Sequence, residues 1–328
     1  MKSWDVYVTR ELPQPAIERL KNHCAVEVNP EDRVLTYDEL LSKVKGRDAV
    51  LCLLTDTINE EVLDAAQDAK IFANYAVGYN NVDVEAATER GILITNTPGV
   101  LTETTAELTL ALLFAVARRV VEADRFTRAG KYKGWGPMLL LGKDLYGKTL
   151  GVIGAGRIGE AVARKAHALS MSVIYNDHQR NRSLEAEIGA RCVDKETLLK
   201  ESDFISLHVP LLPSTRQMIG GEELEMMKES AILINTSRGA VIDESALLTA
   251  LREGKIWAAG LDVFEDEPAL TPGLAELDNV VLTPHIASAS IETRTKMAQL
   301  AVDNILAAME GEEPPNCVNP EAMASDTG

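Results

Sequence analysis

Short apolar segments alternate with helical patterns along the whole chain. In the first hundred residues, β-branched and apolar runs occupy positions 6–8, 49–54, 70–74 and 92–95. Runs of this length separated by amphipathic helices are typical of parallel βα units. The pattern therefore predicts a first parallel sheet made of these four strands.

A long apolar helix separates this series from a second one. We predict the helix over residues 102–120, after a turn at Pro98 and Gly99, with Thr104 and Glu107 spaced as a capping box. Six strands with helices between them follow, which describes a doubly wound sheet. The predicted strands occupy residues 149–153, 172–175, 204–207, 231–234, 258–261 and 280–282.

A second long helix is predicted near the end of the chain. Its pattern covers residues 290–309, and Gly311 is suited to cap its C-terminus. We expect the acidic tail after Pro320 to be frayed. With 328 residues, the chain exceeds the size of about 250–300 residues at which a single core stops growing, so two α/β domains are expected.

Charge and cysteine content narrow the possible partners. A net charge of −17 would repel nucleic acid and anionic lipid, so capture of an anionic substrate would depend on individual arginines. The four cysteines have neither metal-ligand spacing nor a disulfide pattern, which predicts free thiols and no metal site. The N-terminus lacks the layout of a signal peptide, and the apolar stretch at 108–117 is shorter than the ~20 residues of a membrane span. These features predict a cytoplasmic protein.

A glycine-rich motif follows the first strand of the second series. In a strand-turn-helix context, its first glycine permits a tight turn, its second lets the backbone approach a pyrophosphate, and its third lets the helix pack closely on the strand. Free N–H groups at the helix start would bind the pyrophosphate together with the helix dipole. The motif therefore predicts a dinucleotide cofactor, and it reads Gly154-Ala155-Gly156-Arg157-Ile158-Gly159.

The end of the next strand bears on the choice between NAD and NADP. Asp177 lies 18 residues after the last glycine of the motif, near the spacing of about 20 expected for the acid that binds the ribose hydroxyls. This spacing favours NAD(H). Arg180 and Arg182 follow closely and can reach a 2′-phosphate, so NADP(H) is also compatible with the sequence.

Three residues suited to acid–base and anion chemistry follow strands of the second series. Arg238, Glu267 and His285 come after the strands at 231–234, 258–261 and 280–282. Because the carboxyl ends of parallel strands line the ligand crevice, the three residues can converge there. Reduction of a 2-oxo acid needs a cation that binds the carboxylate and polarises the carbonyl, and an acid that protonates the developing alkoxide. Arg238 and His285 meet these needs, and Glu267 would orient the imidazole and favour its protonated form.

Each of these residues has a simpler interpretation when taken alone. Arg238 would be a surface ion pair, Glu267 a solvated loop acid, and His285 a core or cap residue. Their shared position after strands of one nucleotide-binding sheet favours the catalytic interpretation. His208, at another strand end, is expected to shape the floor of the cofactor site rather than act as an acid.

Segments throughout the chain resemble the D-2-hydroxyacid dehydrogenase family, from Val6 to Pro320. Besides the glycine motif, the similar stretches are NYAVGYNNVD at 74–83, LHVPL at 207–211, INTSRG at 234–239, DVFEDEP at 262–268 and TPH at 283–285. The resemblance implies an oxidoreductase that transfers hydride between a nicotinamide cofactor and a small 2-oxo acid. It also implies that Arg238, Glu267 and His285 are the catalytic residues.

The resemblance extends to residues that would bind the two ligands. Backbone N–H groups of Val77 and Gly78 would hold the substrate carboxylate. Implied substrate contacts are Leu54, Val77, Gly78, Trp135, Arg238 and His285. Cofactor contacts are expected at Thr105, Gly154, Gly156, Arg157, Ile158, Gly159, Asp177, His208, Val209, Pro210, Thr215, Thr236, Ser237, Arg238, Asp262, His285, Ala287 and Ser288.

Family architecture implies a Rossmann NAD(P)-binding domain, residues 100–287, inserted into a flavodoxin-like substrate-binding domain of residues 1–99 and 288–328. It also implies a homodimer formed through the Rossmann domain. The segment around Trp135 looks like that of glyoxylate/hydroxypyruvate reductases, in which a tryptophan of the partner subunit reaches the substrate pocket. The alternative is that Trp135 only anchors the interface.

The resemblance therefore leads us to expect reduction of glyoxylate to glycolate, or of hydroxypyruvate to D-glycerate. A broader D-2-hydroxyacid dehydrogenase acting on pyruvate or branched 2-oxo acids is one alternative, for which Leu53, Leu54 and Met138 are suited as pocket residues. A phosphite dehydrogenase is another, because such relatives keep the same Arg, Glu and His. The third is a binding module that senses NADH, like the corepressors of the family.

Overall fold

The computed structural model describes residues 4–326, which form two compact units. Unit 1 runs to Leu101 and resumes at Ala289, and unit 2 comprises Thr102–Ser288. In chain order the strands are β1 (Asp5–Val8), β2 (Ala25–Val28), β3 (Ala49–Cys52), β4 (Ile71–Asn74), β5 (Leu93–Thr95), β6 (Thr149–Ile153), β7 (Ser172–Asn176), β8 (Arg191–Cys192), β9 (Phe204–Leu207), β10 (Ile232–Asn235), β11 (Ala258–Leu261) and β12 (Val280–Leu282). The α-helices are α1 (Gln14–Lys21), α2 (Tyr37–Lys43), α3 (Glu60–Ala65), α4 (Val84–Glu89), α5 (Thr102–Ala117), α6 (Val120–Arg128), α7 (Arg157–Ala168), α8 (Arg182–Ile188), α9 (Lys195–Glu201), α10 (Gly221–Met226), α11 (Glu244–Arg252) and α12 (Ile291–Met309).

Unit 1 is built on a five-stranded parallel sheet in the order β2-β1-β3-β4-β5. This is the flavodoxin-like order. The central strands β3 and β4 are buried at every position, as expected for parallel strands covered on both faces. Helices α2, α3 and α4 contribute apolar side chains to one core, and α12 packs against α1 and β4.

Unit 2 is built on a seven-stranded parallel sheet in the order β12-β11-β10-β9-β6-β7-β8. The strand order reverses between β6 and β9, which is the switch point of a Rossmann fold. Two apolar cores cover the sheet, one that includes α5 and α7 and one that includes α9, α10 and α11. A ligand crevice is therefore expected at the carboxyl ends of β6 and β9. Within residues 4–326, no helix combines the length and apolar character that crossing a membrane requires.

The long helix predicted over residues 102–120 is instead two helices. Arg119, with φ of +53°, separates α5 from α6. The first of these begins at Thr102, so Thr104 lies inside its first turn and the predicted capping box is wrong. Two short strands, β2 and β8, were also absent from the predicted set. The C-terminal end of α12 agrees with expectation, because Gly311 follows it with φ of +78°.

The described part of the segment from Pro320 has regular structure, whereas a frayed tail was expected. Residues 320–326 form a 3₁₀ helix in which Ala322 is buried, and the last two residues of the chain lie outside the described range. Asn319 explains the order because its Oδ1 accepts a hydrogen bond from Ile94 N–H at 2.7 Å, and its Nδ2 donates to the Ile92 carbonyl at 3.0 Å. These bonds tie the segment to the edge of the unit 1 sheet.

Candidate active site and dinucleotide site

The glycine-rich turn joins β6 to α7 at the switch point of the unit 2 sheet. Gly154 has φ of +92°, and a Cβ there would lie 2.6 Å from the His208 carbonyl oxygen and 3.0 Å from Cγ1 of Val209. A Cβ on Gly159 would overlap the carbonyl oxygen of Gly154. The packing of the turn therefore requires both glycines. Gly156 differs, because a Cβ there would meet no atom within 4 Å.

The start of α7 offers backbone donors beside this open space. Gly156 is the N-cap of the helix and provides no side-chain acceptor for the first-turn N–H groups, which begin at Arg157 and Ile158. Uncapped N–H groups and the positive end of a helix dipole are the features that bind a pyrophosphate. The residues present therefore fit a dinucleotide.

Asp177 follows β7 and contacts the glycine-rich turn directly. Its Oδ2 accepts a hydrogen bond from Ala155 N–H at 2.7 Å, and its Oδ1 accepts one from Gln179 N–H at 3.2 Å. The Asp177 side chain is 14% exposed. Its carboxylate is thus fixed next to the turn, where the ribose acid of a Rossmann site is expected.

The nearby Arg180 is already paired in this structure. Its Nη2 lies 2.8 Å from Oε2 of Glu185, and the Tyr175 hydroxyl donates to the other carboxylate oxygen at 2.7 Å. The hydrogen bond from Arg180, followed by that from Tyr175, lowers the pKa of Glu185. Recruiting Arg180 to a 2′-phosphate would require breaking this ion pair.

His208 follows β9 and is held as a neutral ring. Its Nε2 lies 2.8 Å from the Ser206 hydroxyl, and burial lowers its pKa to about 3. A neutral imidazole at physiological pH agrees with a structural role. Beyond it, the Thr215 hydroxyl donates to the Pro210 carbonyl at 2.6 Å and accepts from Leu212 N–H at 2.8 Å, which closes the loop.

The structure brings His285 and Glu267 together. His285 Nδ1 lies 3.0 Å from Glu267 Oε2, while Glu267 Oε1 accepts a hydrogen bond from Phe264 N–H at 2.9 Å. The two side chains are 26% and 32% exposed, so a small molecule can reach them. Burial acts to raise the pKa of Glu267, but the hydrogen bond and charge of His285, with the charge of Arg238, lower it. Glu267 is therefore an ionised partner suited to a protonated imidazole.

Buried Asp262 holds the segment that carries His285. Its carboxylate accepts hydrogen bonds from the Thr283 hydroxyl at 2.6 Å, Ile286 N–H at 2.9 Å and Ala287 N–H at 2.8 Å. His285 has φ of +53°, a conformation that costs a non-glycine residue on the order of 1–3 kcal/mol. The three bonds offset this cost. The sequence suggested only cofactor contact for Asp262, although an acid at a strand end could have indicated this role.

Arg238 follows β10 and lies beside the loop that carries Glu267. Asn235 Nδ2 donates to the Arg238 carbonyl at 2.8 Å, and Gly239 is so close to the next loop that a Cβ would overlap the backbone of Phe264. Burial lowers the pKa of the Arg238 guanidinium, and the charge of Glu267 opposes that effect. An arginine stays protonated under such conditions, so Arg238 is a partly buried cation.

A buried acid that the sequence did not single out supports the same loop. Glu244, at the start of α11, accepts hydrogen bonds from Glu265 N–H at 2.7 Å and from the Thr271 hydroxyl at 2.8 Å. Its neighbours in sequence gave no sign of this role, because its partners are more than twenty positions away. Glu244 thereby fixes both sides of the segment around Glu267.

The other predicted cofactor residues of unit 2 surround α5 and β10. Thr105 is buried in the first turn of α5, and the Thr109 hydroxyl donates to its carbonyl at 2.8 Å. The same hydroxyl lies 2.8 Å from that of Thr236, which joins the helix to the end of β10. The Ser237 hydroxyl is bound within its own turn, and Ser288 is the last residue of unit 2.

The predicted substrate-binding residues Leu54, Val77, Gly78 and Trp135 are divided between the two units. In unit 1, Leu54 is in the turn after β3, and Val77 and Gly78 are in the loop after β4. In unit 2, Trp135 lies in the irregular segment between α6 and β6 and is 84% exposed.

Comparison with known proteins places these features in a family. Residues 110–287 match the model of the D-isomer specific 2-hydroxyacid dehydrogenase NAD binding domain. The chain is 52% identical to a glyoxylate reductase of Thermococcus litoralis over 324 residues, covering 98% of each protein. It is 51% identical to a glyoxylate reductase of Aeropyrum pernix, again covering 98% of each.

Solved structures agree with these matches. A Thermus thermophilus protein is 49% identical with a TM-score of 0.90, covering 96% of this chain and 99% of that one. An NADPH-dependent glyoxylate/hydroxypyruvate reductase of Sinorhizobium meliloti, solved with NADP and malonate, is 32% identical with a TM-score of 0.86 and 98% coverage of both chains. The chain therefore belongs to the D-isomer specific 2-hydroxyacid dehydrogenase family.

Proposed function

We propose that this protein reduces small 2-oxo acids, with glyoxylate and hydroxypyruvate as the preferred substrates. The observation that carries the proposal is the partly exposed His285–Glu267 pair beside the partly buried cation Arg238, at the carboxyl edge of an NAD-binding sheet. Relatives named glyoxylate reductase, at about half identity over nearly the whole chain, support this choice of substrate.

The three residues have complementary tasks in this reaction. The Arg238 guanidinium binds the substrate carboxylate and polarises the adjacent carbonyl, because its planar fork contacts two oxygens at once. His285 donates a proton to the carbonyl oxygen as that oxygen gains negative charge. Glu267 keeps the imidazole oriented for that step through its contact with Nδ1. A bound nicotinamide supplies the hydride in this chemistry.

NADH is the cofactor that we propose, with the glycine-rich turn and the start of α7 holding its pyrophosphate. Asp177 would bind the ribose hydroxyls, and its carboxylate would repel a 2′-phosphate. The ion pair that occupies Arg180 supports the same preference. A structural relative named as NADPH-dependent makes NADPH the alternative that has to be tested.

Two further roles rest on family membership. Unit 1 is proposed as the substrate-binding domain, in which Leu54 and the N–H groups of Val77 and Gly78 contact the substrate. A homodimer through unit 2 is proposed because the segment between α6 and β6 exposes large apolar side chains, including those of Trp135 and Met138. The four cysteines are free thiols in the structure, which supports a cytoplasmic location.

The test is a comparison of kcat/KM for glyoxylate, hydroxypyruvate, pyruvate and 2-oxoisocaproate with NADH and with NADPH, alongside NAD reduction by phosphite. We expect the two small polar oxo acids with NADH to give the highest values. A higher value for pyruvate or the branched acid would contradict the substrate proposal. Turnover only with phosphite would contradict the reaction, and NADH binding without any turnover would favour the sensing module.

A further inference from the structure

Two asparagine side chains donate hydrogen bonds to consecutive peptide carbonyls in the loop after β4. Asn96 Nδ2 donates to the Val77 carbonyl at 2.8 Å, and Asn74 Nδ2 donates to the Gly78 carbonyl at 3.0 Å. Asn74 is the last residue of β4 and is 1% exposed, while Asn96 directly follows β5. Both amides thus come from the ends of rigid strands.

Holding these carbonyls also sets the direction of the N–H groups that follow them. The peptide unit is planar and trans, so its N–H points opposite to its C=O. Binding of the Val77 carbonyl by Asn96 therefore fixes the N–H of Gly78 on the other side of the chain. In the described part of the chain, the N–H groups of Val77 and Gly78 have no hydrogen-bond acceptor. Unpaired donors held in a fixed direction are suited to an anion.

The backbone of Asn96 is itself held by hydrogen bonds within unit 1. The Asn96 carbonyl accepts a hydrogen bond from Asn304 Nδ2 at 3.3 Å, and Asn96 N–H donates to the Asn316 carbonyl at 3.3 Å. Thr97 N–H donates to the Ala76 carbonyl at 2.8 Å, which ties the loop to the same strand end. These hydrogen bonds keep Asn96 in place if the loop moves.

We propose that Asn96 is a positioning residue that aims the backbone N–H of Gly78 at the substrate carboxylate. The inference rests on the proposed function, in which Val77 and Gly78 bind that carboxylate. It adds that the Gly78 donor is pre-oriented by a side chain that does not itself touch the substrate, which lowers the entropic cost of binding.

Asn96 is the residue to change, because Asn74 holds the Gly78 carbonyl and so orients the N–H of Tyr79, which is not one of the proposed donors. Asn96→Ala removes the donor, and Asn96→Asp keeps the shape but cannot donate to the Val77 carbonyl. The matched control is Asn279→Ala in unit 2, because Asn279 Nδ2 likewise donates to two backbone carbonyls, those of Leu251 and Trp257, at 3.3 and 3.1 Å. All three variants thus lose a side-chain bond to the main chain.

The probe is oxalate, a stable dianion with the shape of glyoxylate, and its binding is measured by calorimetry with saturating NADH. For Asn96→Ala we expect the oxalate Kd and the glyoxylate KM to rise about tenfold, with a smaller change in kcat and no change in NADH affinity. The additional negative charge in Asn96→Asp is expected to weaken oxalate further.

The control separates positioning from general stability. Asn279→Ala should lower Tm while leaving the oxalate Kd unchanged. If Asn96→Ala lowers Tm by a similar amount and binds oxalate like the unmodified protein, Asn96 is only structural and the inference is wrong. If the unmodified protein reduces no 2-oxo acid and binds no oxalate, the proposed function fails, and the inference fails with it.

Discussion

The contact between Glu267 and His285 affects the ionisation of the carboxyl group. Burial acts to raise the pKa of Glu267, but the hydrogen bond at 3.0 Å and the charge of His285 lower it. A carboxyl group with a lowered pKa stays ionised to a lower pH than usual, and its charge is lost only as pH falls through that pKa. Glu267 is therefore a charged partner of His285 at neutral pH.

Glu267→Gln tests the role of this charge with little change in shape, since the amide oxygen can still accept from Phe264 N–H. In the proposed mechanism the ionised carboxylate orients the imidazole, and a neutral amide should hold it more weakly. We expect kcat for glyoxylate reduction to fall about tenfold or more with little change in KM. Because the charge of Glu267 is lost only as pH falls through its lowered pKa, the acidic limb of the kcat profile that reports this group should be absent from Glu267→Gln. Steady-state kinetics across pH measure both effects, and Asp266→Asn, which removes a charge from an exposed neighbour, is the control. An unchanged kcat and pH profile in Glu267→Gln would contradict the role of the pair.

At the scale of elements, two of the three glycines in the motif after β6 have different tasks: Gly156 is the N-cap of α7, and Gly159 lies in its first turn. Gly159 is required by packing, because a Cβ there would overlap the Gly154 carbonyl. Gly156 has ordinary backbone angles and open space around its Cβ position. A ligand that approaches the backbone closely at this position would explain why Gly156 has no side chain. The two glycines therefore separate folding from cofactor binding within one turn.

Alanine substitutions at the two glycines should differ in their effect on the free energy of unfolding, although both should weaken NADH binding. Gly159→Ala should lower both the free energy of unfolding, by about 1–3 kcal/mol, and the affinity for NADH, since helix and strand are forced apart. Gly156→Ala should leave the unfolding free energy within about 0.5 kcal/mol and still weaken NADH binding at least tenfold. Urea denaturation and fluorescence titration with NADH measure the two quantities. Normal NADH binding by Gly156→Ala would place the pyrophosphate elsewhere.

The elements that the sequence predicted are marked by their own residues, whereas those that it missed are not. The buried strands β3 and β4 are continuous apolar runs, so they were predictable. The edge strand β2 contains Glu27, which interrupts its apolar run and binds Lys43 and Arg47 from other parts of unit 1. The break at Arg119 has no glycine or proline to mark it. For β2, the stabilising partners of Glu27 lie 16 and 20 positions further along the sequence. For the break at Arg119, the partner Glu122 is only three residues away, but an ion pair at this spacing is equally typical of a continuous helix.

The candidate site also combines features that the sequence predicted with features that it did not. Arg238, Glu267 and His285 were predictable because parallel topology brings strand ends to one edge. The contacts that hold them in place were not, because Asp262 binds residues more than twenty positions away, and so does Glu244. Chemistry at strand ends can be predicted from residue type and position. The supporting hydrogen bonds depend on loop geometry that only the fold specifies.

At the scale of the whole molecule, the exposed segment between α6 and β6 raises the question of assembly. Trp135 is 84% exposed, and Met138 and Tyr146 are also largely exposed. Monomeric proteins rarely expose so many large apolar side chains in one short segment. A second copy of the chain would bury them. Two roles then remain for Trp135, as an anchor of the interface or as a substrate contact in the active site of the partner subunit.

A mixed dimer distinguishes these roles. His285→Ala should lower kcat by a factor of about 10²–10⁴, because the proton donor is lost. If Trp135 contacts the substrate, Trp135→Ala should raise the glyoxylate KM, whether that contact is made in its own subunit or in the partner subunit. In a co-expressed dimer with one subunit of each variant, isolated through two different tags, the Trp135→Ala subunit keeps His285 and faces the intact Trp135 of the other chain. If Trp135 acts across the interface, this one site should regain the glyoxylate KM of the unmodified enzyme, at about half its kcat per dimer. If the raised KM persists, Trp135 does not complete the partner's site, and sedimentation of the unmodified protein as a monomer would contradict the dimer itself.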